Sequence, residues 1–504
     1  MSTPTIRRVL VANRGEIAVR VIRACAELGL ETVAVYSDVD REAPHVRKAT
    51  MAFHLGPPPA AQSYLRQDLL LDIAARSGCD AVHPGYGFLS ENASFARAVT
   101  AAGLVWVGPP PSAIEAMGSK TGSRQLMKAA GVPVVPGTVD PITSEQELIR
   151  IAAEIGYPVM LKASAGGGGK GMRRVESPDE LLSGFRAARS EARSSFGDDA
   201  VYLEKFVVNP RHVEIQVLAD THGTTVHLFE RDCSIQRRNQ KVLEEAPCPV
   251  LPPETRAAMA QVAVRAAEAV GYVGAGTVEF LYGGDDSFYF LEMNTRLQVE
   301  HPITEMITGV DLAAAQLRIA MGEPLWFSQS DLKIQGHAVE CRVYAEDPAA
   351  NFMPAPGRIV SYHEPGGPFV RVDSGVYAGF TVPIHYDPMI AKLVVWGRDR
   401  ADCMARADRA LREYRVTGIR TSIAFFRAVI ADPRFQAGDY TTGFITPEFL
   451  AGLSARRDDE AAAIAAAIAQ FEADHAPHAS APQGQAESAW KRVGRWRSAN
   501  RVPR

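Results

Sequence analysis

The N-terminal part of the chain has two short apolar runs, and the segment between them has apolar residues at helical spacing. Val9–Ala12 and Thr32–Tyr36 are such runs, and apolar residues recur at helical spacing between them. This order predicts a strand, a helix and a second strand in one right-handed parallel unit. Asp38 follows the second strand, as in dinucleotide-binding folds, but the turn Asn13–Glu16 has a single glycine instead of the glycine-rich fingerprint. We therefore predict a scaffold unit and not an NAD site.

The pattern continues with further elements and with a glycine-rich run. We predict one helix and several strands, namely a helix over Ser112–Ala130 and strands at Ala81–His83, Leu104–Val107, Pro158–Lys162 and Met172–Val175. The run Ala165–Gly171 lies between the last two strands and contains Lys170. Such a run is either a flexible linker or a lid that lays backbone N–H groups and a charge over phosphates. Walker spacing is absent, so the run is not a P-loop, and we favour the nucleotide lid.

Two apolar segments farther along predict a β-hairpin with two opposed carboxylates. Thr277–Tyr282 and Phe288–Asn294 flank a turn rich in glycine and aspartate. A turn centred on its two aspartates places Glu279 opposite Glu292, with Cβ atoms about 5 Å apart. Such a pair is either exposed and screened by salt, or partly buried and bridged by a cation. The aromatic neighbours favour the second case, so we predict one or two magnesium ions shared with a nucleotide.

Polar residues then occupy every second position, at Glu292, Asn294, Arg296, Gln298 and Glu300. In an extended chain these side chains share one face. A solvated edge strand is one interpretation, but two carboxylates and an amide suit a hard cation, and an arginine suits a small anion. A strand from Glu292 to Glu300 spans roughly 26 Å, which is too long for one anion and one metal pair to share. We therefore predict a strand only as far as Asn294, and a turn or loop from Arg296 to Glu300.

The C-terminal third is predicted to be β-rich and to end in a tail. Short alternating strands begin at His337–Tyr344, and Ala401–Tyr414 is predicted to be a helix. Residues 460–473 have an alanine-rich helical pattern, and residues 475–489 form a polar linker rich in alanine and proline. A basic aromatic segment completes the tail, with Trp490 and Trp496 among Lys491, Arg492, Arg495, Arg497, Arg501 and Arg504. This segment is either solvated or a docking site for a partner.

Composition is that of an ordinary globular protein. The 504 residues are 46% hydrophobic and 22% charged, and the net charge is -4 at pH 7. This balance does not favour nucleic acid or an anionic membrane surface, so any polyanion must be held locally. The six cysteines are scattered without metal-ligand spacing, and the N-terminus has no signal-like apolar region. We expect a cytoplasmic protein without a membrane span.

Eight segments resemble, in order, those of one family, the ATP-grasp biotin carboxylases. They are Val11–Ile17, His83–Asn92, Lys162–Ser164, Glu204–Phe206, Pro210–Gln216, Arg231–Ser234, Glu244–Pro247 and Asn294–Pro302. Each segment alone is a weak signal. Together they extend over about residues 6–447, so the resemblance is highly specific.

The resemblance implies a fold of mixed α/β and α+β type with three domains. It places a doubly wound, Rossmann-like domain at residues 1–118, an ATP-grasp domain at 119–325 with a mobile lid at about 132–203, a β-rich domain at 334–447 and a tail at 448–504. The implied reaction converts ATP, bicarbonate and biotin into ADP, phosphate and carboxybiotin through carboxyphosphate. The implied role is the biotin carboxylase subunit of an acyl-CoA carboxylase, above all acetyl-CoA carboxylase, in the first step of malonyl-CoA and fatty acid synthesis.

A nucleotide and metal site is also implied by the resemblance. The ATP-binding residues are then Lys120, Lys162, Gly168, Gly169, Glu204, Lys205, Val207, His212, Gln236, Asn239, Glu279, Leu281 and Glu292. Two Mg²⁺ or Mn²⁺ ions are expected on Glu279, Glu292 and Asn294. These metal ligands include the carboxylate pair that the hairpin register predicts independently.

The resemblance further implies an anion pocket and a biotin site. Bicarbonate is expected on Lys241, Arg296, Gln298, the backbone N–H of Val299 and Glu300. Glu300 is the implied base that removes the bicarbonate proton, and a base needs a free lone pair and a raised pKa, which we expect a semi-enclosed acidic cluster to supply. Biotin is expected to contact Tyr86 and Arg342, and Arg342 to stabilise the biotin enolate.

Departures from the family pattern concern the nucleotide and the partners. Asn239 stands where many members have histidine, which puts the nucleotide affinity in question. Pro368 replaces an aromatic residue of the family's homodimer interface, yet we expect a homodimer because other residues match that interface or lie beside it, namely Arg23, Glu27, Phe369 and Arg371. No lysine is flanked by two methionines, and Met127–Lys128 is the only Met-Lys pair. Biotin is therefore expected as a substrate bound to a separate carrier protein, with separate carboxyltransferase subunits.

Two other functions stay open at this point. The chain could be a different ATP-grasp ligase that acts through an acyl phosphate, although Arg342 and the region of Glu300 argue against this. It could also be a non-catalytic scaffold protein, although the phosphate, metal and base positions are all intact.

Overall fold

The structure is a computed structural model that describes residues 5–138, 140–163, 172–196, 199–284, 286–453, 464–468 and 470–471. The chain divides into two compact units, residues 1–450 and residues 451–504. The glycine-rich run with Gly168 and Gly169, and the basic aromatic segment of the tail, lie outside the described residues. None of the helices in the described ranges is long and apolar enough to cross a membrane.

A five-stranded parallel sheet with strand order β3-β2-β1-β4-β5 forms the N-terminal region. Its elements are β1 (Arg8–Val11), α1 (Gly15–Glu27), β2 (Glu31–Ser37), α2 (Pro44–Lys48), β3 (Met51–Gly56), α3 (Gln67–Arg76), β4 (Ala81–His83), α4 (Ala93–Ala101) and β5 (Val105–Trp106). Val9 and Val11 pack in one hydrophobic cluster with α1, whereas Leu10 belongs to another with α3 and α4. The apolar runs are continuous because helices cover both faces of the sheet. The predicted parallel strand–helix–strand unit is confirmed.

The single helix predicted over Ser112–Ala130 is wrong. The structure has two helices there, α5 (Pro111–Gly118) and α6 (Lys120–Ala129). Ser119 separates them with an extended backbone, and its side-chain oxygen accepts a hydrogen bond of 3.1 Å from the backbone N–H of Gly122. A serine in this conformation is a helix N-cap, so it ends the apolar periodicity of one helix and begins the next.

A small antiparallel sheet of order β7-β6-β8 comes next and has its own hydrophobic core. Its elements are α7 (Glu145–Ile155), β6 (Val159–Ala163), β7 (Met172–Val175), α8 (Pro178–Phe196) and β8 (Val201–Lys205). Leu161 and Leu203 of the sheet pack with Leu148 of α7 and Phe185 of α8 in that core. These elements fall within the predicted lid, and a separate core is what a segment that moves as one body requires.

An eight-stranded antiparallel sheet, of order β13-β12-β9-β10-β11-β14-β21-β19, carries the polar residues of interest. Its strands are β9 (Arg211–Ala219), β10 (Thr225–Arg237), β11 (Gln240–Ala246), β12 (Gly274–Tyr282), β13 (Phe288–Asn294), β14 (His337–Tyr344), β19 (Val370–Ser374) and β21 (Met389–Gly397). The pairing of β11 with β14 joins the predicted ATP-grasp region to the predicted C-terminal region. Helices α9 (Pro253–Ala269), α10 (His301–Thr308) and α11 (Leu312–Ala320) connect or cover these strands.

The hairpin register and its termination are as predicted. Glu279 lies opposite Glu292 and Thr277 opposite Asn294, although a bulge follows Glu279 and shifts the rest of the pairing. Strand β13 ends at Asn294, and the chain turns before α10 begins at His301. The later polar residues, from Arg296 to Glu300, therefore lie on a turn and not on a strand.

The remaining elements of the C-terminal region are short. They are β15 (Glu346–Asp347), β16 (Met353–Pro354), β17 (Gly357–Arg358), β18 (Ser361–His363), β20 (Thr381–Val382), α12 (Arg400–Glu413), β22 (Arg415–Thr417), α13 (Ile423–Ala431) and α14 (Pro433–Gln436). The predicted strand at 337–344 and the predicted helix at 401–414 are confirmed, the helix to within one residue. In the second unit, residues 451–453, 464–468 and 470–471 are helical.

Candidate active site

One face of the large sheet brings polar side chains together in rows. Strand β9 is buried along its whole length, yet it carries His212, Glu214 and Gln216 at every second position. In the register with β12, His212 lies opposite Leu281, Glu214 opposite Glu279, and Gln216 opposite Thr277. Cross-strand partners point to the same face, so β9, β12 and β13 together form one polar surface inside the protein.

Lys241, at the start of β11, is surrounded by three carboxylates. Its Nζ lies 2.5 Å from Glu214 Oε2, 2.6 Å from Glu279 Oε1 and 2.8 Å from Glu300 Oε1. Only 11% of the lysine side chain is exposed. Burial alone lowers the pKa of Lys241, but the three carboxylates outweigh it and raise the pKa well above its usual value. The lysine is therefore fixed as a cation at the centre of the site.

Two buried arginines complete what we call the central ion cluster, defined as Glu214, Arg231, Lys241, Glu244, Glu279, Glu300 and Arg342. Arg231 is fully buried and donates to Glu214 Oε1 at 2.6 Å and to the oxygens of Gln216, Thr277 and Thr304. Arg342 donates to Glu244 Oε1 at 2.7 Å and to Glu300 Oε2 at 2.9 Å. Burial raises the pKa of Glu244 to about 7, although Arg342 opposes the shift. Each buried charge thus has a partner, as burial requires.

Glu300 does not have the raised pKa that we expected from the sequence. Burial favours a higher pKa, but Lys241, Arg342 and Arg231 outweigh it and hold the pKa of Glu300 well below its usual range. One carboxylate oxygen accepts from Lys241 and the other from Arg342, so a cation holds each oxygen, and each oxygen keeps a second lone pair. The expectation was wrong because the alternating pattern shows only the residues on the turn. The two cations come from β11 and β14 and reach Glu300 through the tertiary fold.

The opposed carboxylates of the hairpin have different environments. Glu279 is buried, and its Oε1 accepts hydrogen bonds from Asn294 Nδ2 at 2.7 Å and from Gln298 Nε2 at 3.3 Å. Its Oε2 lies 3.0 Å from His212 Nε2. Glu292 is an exposed residue, yet partial burial of its carboxyl group, and then the charge of Glu279, raise its pKa. Oxygen ligands that repel one another at a sheet edge are a suitable setting for a hard divalent cation.

The turn that follows β13 is held by Glu91 of the N-terminal region. Arg296 donates from Nε to Glu91 Oε2 at 2.9 Å, from Nη2 to Asn294 Oδ1 at 3.0 Å and from Nη1 to Gln298 Oε1 at 3.2 Å. Glu91 also accepts from the backbone N–H of Thr295 at 3.1 Å. The guanidinium therefore lies beside Gln298, and hydrogen bonds from all three of its nitrogens fix its orientation.

Tyr86 is positioned by the turn that follows β1. The side-chain amide of Asn13 donates to the backbone oxygens of Pro84 and Tyr86, each at 2.7 Å. Gly85 has a φ of +64°, and a Cβ there would lie 2.9 Å from Asn13 Nδ2, so only glycine allows this close approach. The turn Asn13–Glu16 thus holds the loop that carries Tyr86.

The predicted nucleotide residues lie at the junction with the small sheet. Glu204 is bound by Lys162 and Arg124, and Lys205 donates from Nζ to the backbone oxygen of Tyr157 at 2.9 Å. Lys120 is the first residue of α6, and Val207 lies two residues after the end of β8. Burial favours a higher pKa for Glu204, but the two cations outweigh it and lower the pKa. Two of the predicted nucleotide residues, Lys162 and Glu204, therefore contact each other directly.

Gln236 and Asn239 lie at the hairpin of β10 and β11. Gln236 Nε2 is 2.9 Å from His212 Nδ1, which links this hairpin to the polar row of β9. Asn239 is exposed in the two-residue turn, with a φ of +64° that asparagine adopts more readily than most residues. Both residues line a cavity of about 540 Å³ together with Thr442 and Ile445.

Several residues of this site received no role from the sequence, namely Glu91, Arg124, Glu214, Arg231 and Glu244. All but Arg124 lie within motifs that carried the family resemblance. One signal could have identified Glu214: strand β9 shows the same period-two alternation of polar residues that drew attention to residues 292–300. Arg231 and Glu244 have no such local signal, because their roles depend on strands that pair across the sheet.

The doubly wound N-terminal sheet, the small sheet with its own core, and the ionic site on the large antiparallel sheet define an ATP-grasp enzyme. Comparison with family models agrees. Residues 5–114 match the biotin carboxylase N-terminal domain, residues 119–327 the ATP-binding domain of the carbamoyl-phosphate synthase L chain, and residues 340–447 the biotin carboxylase C-terminal domain.

Individual relatives match along most of their length. A pyruvate carboxylase subunit of Methanothermobacter thermautotrophicus is 53% identical over 89% of this chain and 91% of its own. The biotin carboxylase of Nostoc sp. is 52% identical over 87% of this chain and 98% of its own. Among solved structures, the biotin carboxylase domain dimer of Hydrogenobacter thermophilus 2-oxoglutarate carboxylase, in complex with MgADP, ADP and bicarbonate, is 46% identical, covers 88% of this chain and 98% of its own, and has a TM-score of 0.81. The chain therefore belongs to the biotin carboxylase family and is an ATP-dependent ligase.

Proposed function

We propose that this chain carboxylates biotin on a separate carrier protein, using ATP and bicarbonate, within an acyl-CoA carboxylase. The observation that carries the proposal is the position of Glu300 between Lys241 and Arg342, on a turn that also presents Arg296 and Gln298. Acetyl-CoA is our proposed final acceptor, which makes the reaction the first step of fatty acid synthesis. The relatives include a pyruvate carboxylase subunit and a 2-oxoglutarate carboxylase domain, so proteins of this family serve different final acceptors.

Bicarbonate is assigned to the turn after β13. Lys241, Arg296, Gln298 and the backbone N–H of Val299 supply a cationic and hydrogen-bonding pocket for a small planar anion. Glu300 is ionised in the cluster and so is able to accept a proton. An anion that draws Lys241 away from Glu300 removes one of the cations that lower the pKa of the carboxylate. The burial of Glu300 then favours proton uptake, so substrate binding itself increases the strength of the base.

Magnesium is assigned to Glu279, Glu292 and Asn294. The residues fit a hard cation, because two carboxylates oppose each other across the hairpin, and burial and then the charge of Glu279 raise the pKa of Glu292. The Asn294 amide lies beside them with its nitrogen on Glu279 Oε1, and its oxygen, which accepts from Arg296, would have to turn away from that arginine to join the cation. When bound, the metal neutralises the phosphates of ATP during transfer. The nucleotide itself is assigned to the junction with the small sheet, through Lys120, Lys162, Gly168, Gly169, Glu204, Lys205, Val207, His212, Gln236, Asn239 and Leu281.

Biotin is assigned to two residues, Arg342 of the central ion cluster and Tyr86 of the N-terminal region. Arg342 is buried and already oriented by Glu244 and Glu300, so it needs little reorganisation to meet an oxyanion that develops on biotin. The sequence contains no lysine flanked by two methionines, so we propose a separate carrier and separate carboxyltransferase subunits as partners. The domain division stays as proposed, at 1–118, 119–325 and 334–447.

A homodimer is the proposed assembly. Arg23 and Glu27 are exposed on α1, and Phe369 is 53% exposed while its ring contacts Trp396 at a centroid distance of 4.7 Å. Aromatic residues and arginine are enriched at protein interfaces. Arg371, in contrast, is bound within the chain by Glu305 and Asp373, each at 2.7 Å. Its part at the interface is thus to hold neighbouring residues in place.

The deciding experiment is the substitution Glu300→Gln, with Glu323→Gln at an exposed position as the matched control. Carboxylation of free biotin from labelled bicarbonate should fall by about 10²- to 10⁴-fold in the first variant, the usual contribution of a positioned base. The control should equal the wild type. An unchanged rate in Glu300→Gln contradicts the mechanism. Bicarbonate-dependent ATP hydrolysis that does not respond to biotin would favour another ATP-grasp ligase instead.

A further inference from the structure

A second set of buried charges lies behind the turn that carries Glu300. In the large sheet, Lys392 of β21 lies opposite Arg342 of β14 on one side and Asp373 of β19 on the other. Directly opposed residues share a face, so these three side chains form one row. Helix α10 packs on β14 and β21, and α1 packs on β19 and β21. The row is therefore enclosed between the sheet and two helices.

Lys392 contacts the backbone of the anion-binding turn. Its side chain is fully buried, and its Nζ donates to the backbone oxygen of Val299 at 2.8 Å. The same nitrogen lies 3.3 Å from Glu16 Oε2 and 5.8 Å from the centre of the Tyr86 ring. A lysine enclosed in this way has few alternative positions, because each displacement breaks a contact to a buried charge.

His301, the first residue of α10, binds the preceding carbonyl of the same turn. Its Nδ1 lies 2.7 Å from the backbone oxygen of Gln298. Since a carbonyl oxygen only accepts, Nδ1 must carry the proton and donate. Burial, followed by the charges of Lys392, Arg20 and Arg371, holds the pKa of His301 well below its usual value. The ring is therefore neutral, with its proton fixed on Nδ1.

The two contacts determine the direction of two successive peptide groups. In a trans peptide the C=O and the next N–H point in opposite directions. With the Gln298 carbonyl turned toward His301, the N–H of Val299 is turned away from it. With the Val299 carbonyl turned toward Lys392, the peptide that leads into Glu300 is fixed as well. Both anchors come from behind the turn, opposite the proposed pocket.

We propose that Lys392 and His301 are positioning residues, which hold these two peptide groups so that the Val299 N–H and the Glu300 carboxylate meet the substrate anion. Neither residue touches the substrate. The inference rests on the proposed bicarbonate site and adds two residues to it. Lys392 makes two separable contacts. Its ion pair is with Glu16, whereas its hydrogen bond to the turn is with the backbone oxygen of Val299.

The test compares Lys392→Met with Glu16→Gln. Both substitutions break the ion pair, but only the first removes the donor to Val299. We expect Lys392→Met to raise the KM for bicarbonate about 10-fold or more in biotin-dependent phosphate release, as loss of an outer anchor commonly does. Glu16→Gln should stay within about threefold of the wild type, and the KM for ATP should be unchanged in both, since binding is lost at one subsite. The double variant Lys392→Met/Glu16→Gln removes both charges of the pair, so neither is left buried without its partner. Its KM for bicarbonate should equal that of Lys392→Met, and it replaces that variant in the test if Lys392→Met does not fold.

A second pair of variants tests His301. Asparagine places an amide N–H near the position of Nδ1, so His301→Asn should keep the KM for bicarbonate closer to the wild type than His301→Leu does. The proposal is overturned if Glu16→Gln raises this KM as much as Lys392→Met, or if Lys392→Met leaves it unchanged. Absence of bicarbonate- and biotin-dependent turnover in the wild type would instead overturn the proposed function, so the two failures are distinguishable.

Discussion

Replacement of Lys241 by methionine is expected to destabilise the protein, and the loss of stability is expected to depend on pH. The substitution keeps most of the side-chain volume and removes the charge that contacts Glu214, Glu279 and Glu300. Two of these carboxylates keep a strong partner, because Glu214 still has Arg231 and Glu300 still has Arg342. Glu279 keeps only His212 and the side-chain amides of Asn294 and Gln298.

The expected loss is therefore that of one broken buried pair and not of three. Removing one partner of such a pair costs about 3–5 kcal/mol. In the wild type, burial favours a higher pKa for Glu279, but Lys241 and His212 outweigh it and lower the pKa. Without Lys241, burial is opposed mainly by His212, so we expect the pKa of Glu279 to rise above the ordinary value for glutamate and the folded variant to bind a proton that the unfolded chain does not. Its stability should therefore decrease as the pH rises above the ordinary value for glutamate.

Thermal unfolding from pH 5 to pH 8 measures the effect, with Lys333→Met as the control at an exposed lysine. The difference between Lys241→Met and wild type should be largest at pH 8 and should shrink toward pH 5. Magnesium should restore part of it, because a cation that binds only the folded state stabilises that state. A loss that is below about 1 kcal/mol at pH 8, or that does not vary with pH, would refute the view of Lys241 as the essential counter-charge.

Two further outcomes test the buried charges. Burial raises the pKa of Glu16 to about 7, although Lys392 opposes the shift, so the folded protein holds this proton more tightly than the unfolded chain. Stability should fall between about pH 4.5 and pH 7, and in urea titrations Glu16→Gln should remove a loss of about 3 kcal/mol at higher pH. Arg231→Met should cost about 3–5 kcal/mol, because it leaves three buried oxygens without that donor and removes one of the two cations that bind Glu214, and Arg231→Lys should recover only part of this, since lysine lacks the planar fork. Equal stability of the methionine and lysine variants would contradict the latter expectation.

Local patterns in the sequence were sufficient for several strands and for the opposed carboxylates of the β12–β13 hairpin. The apolar runs of the N-terminal sheet, the register of Glu279 with Glu292 and the end of β13 at Asn294 all follow from periodicity and turn chemistry. The division of the helix at Ser119 does not, because a single polar cap within an apolar periodicity is easily taken for a surface position.

The ionic partners of the site could not be predicted in this way. Arg342 contacts Glu300 because β14 pairs with β11, and nothing in the spacing of the residues indicates that pairing. The same dependence explains the wrong expectation for Glu300. A polar turn considered alone suggests an acidic environment, whereas the fold supplies cations from two other strands.

One carboxylate oxygen links the proposed metal site to the proposed anion pocket. Glu279 Oε1 accepts hydrogen bonds from Lys241, Asn294 and Gln298. Lys241 and Gln298 belong to the proposed bicarbonate pocket, so a carboxylate of the proposed metal site engages both of their donors. A divalent cation held by Glu279 would compete with these donors, and an anion held by Lys241 and Gln298 would compete with the Glu279 carboxylate. Coupling of this kind is reciprocal by thermodynamic necessity. These shared contacts therefore favour the binding of metal and bicarbonate together over the binding of either alone.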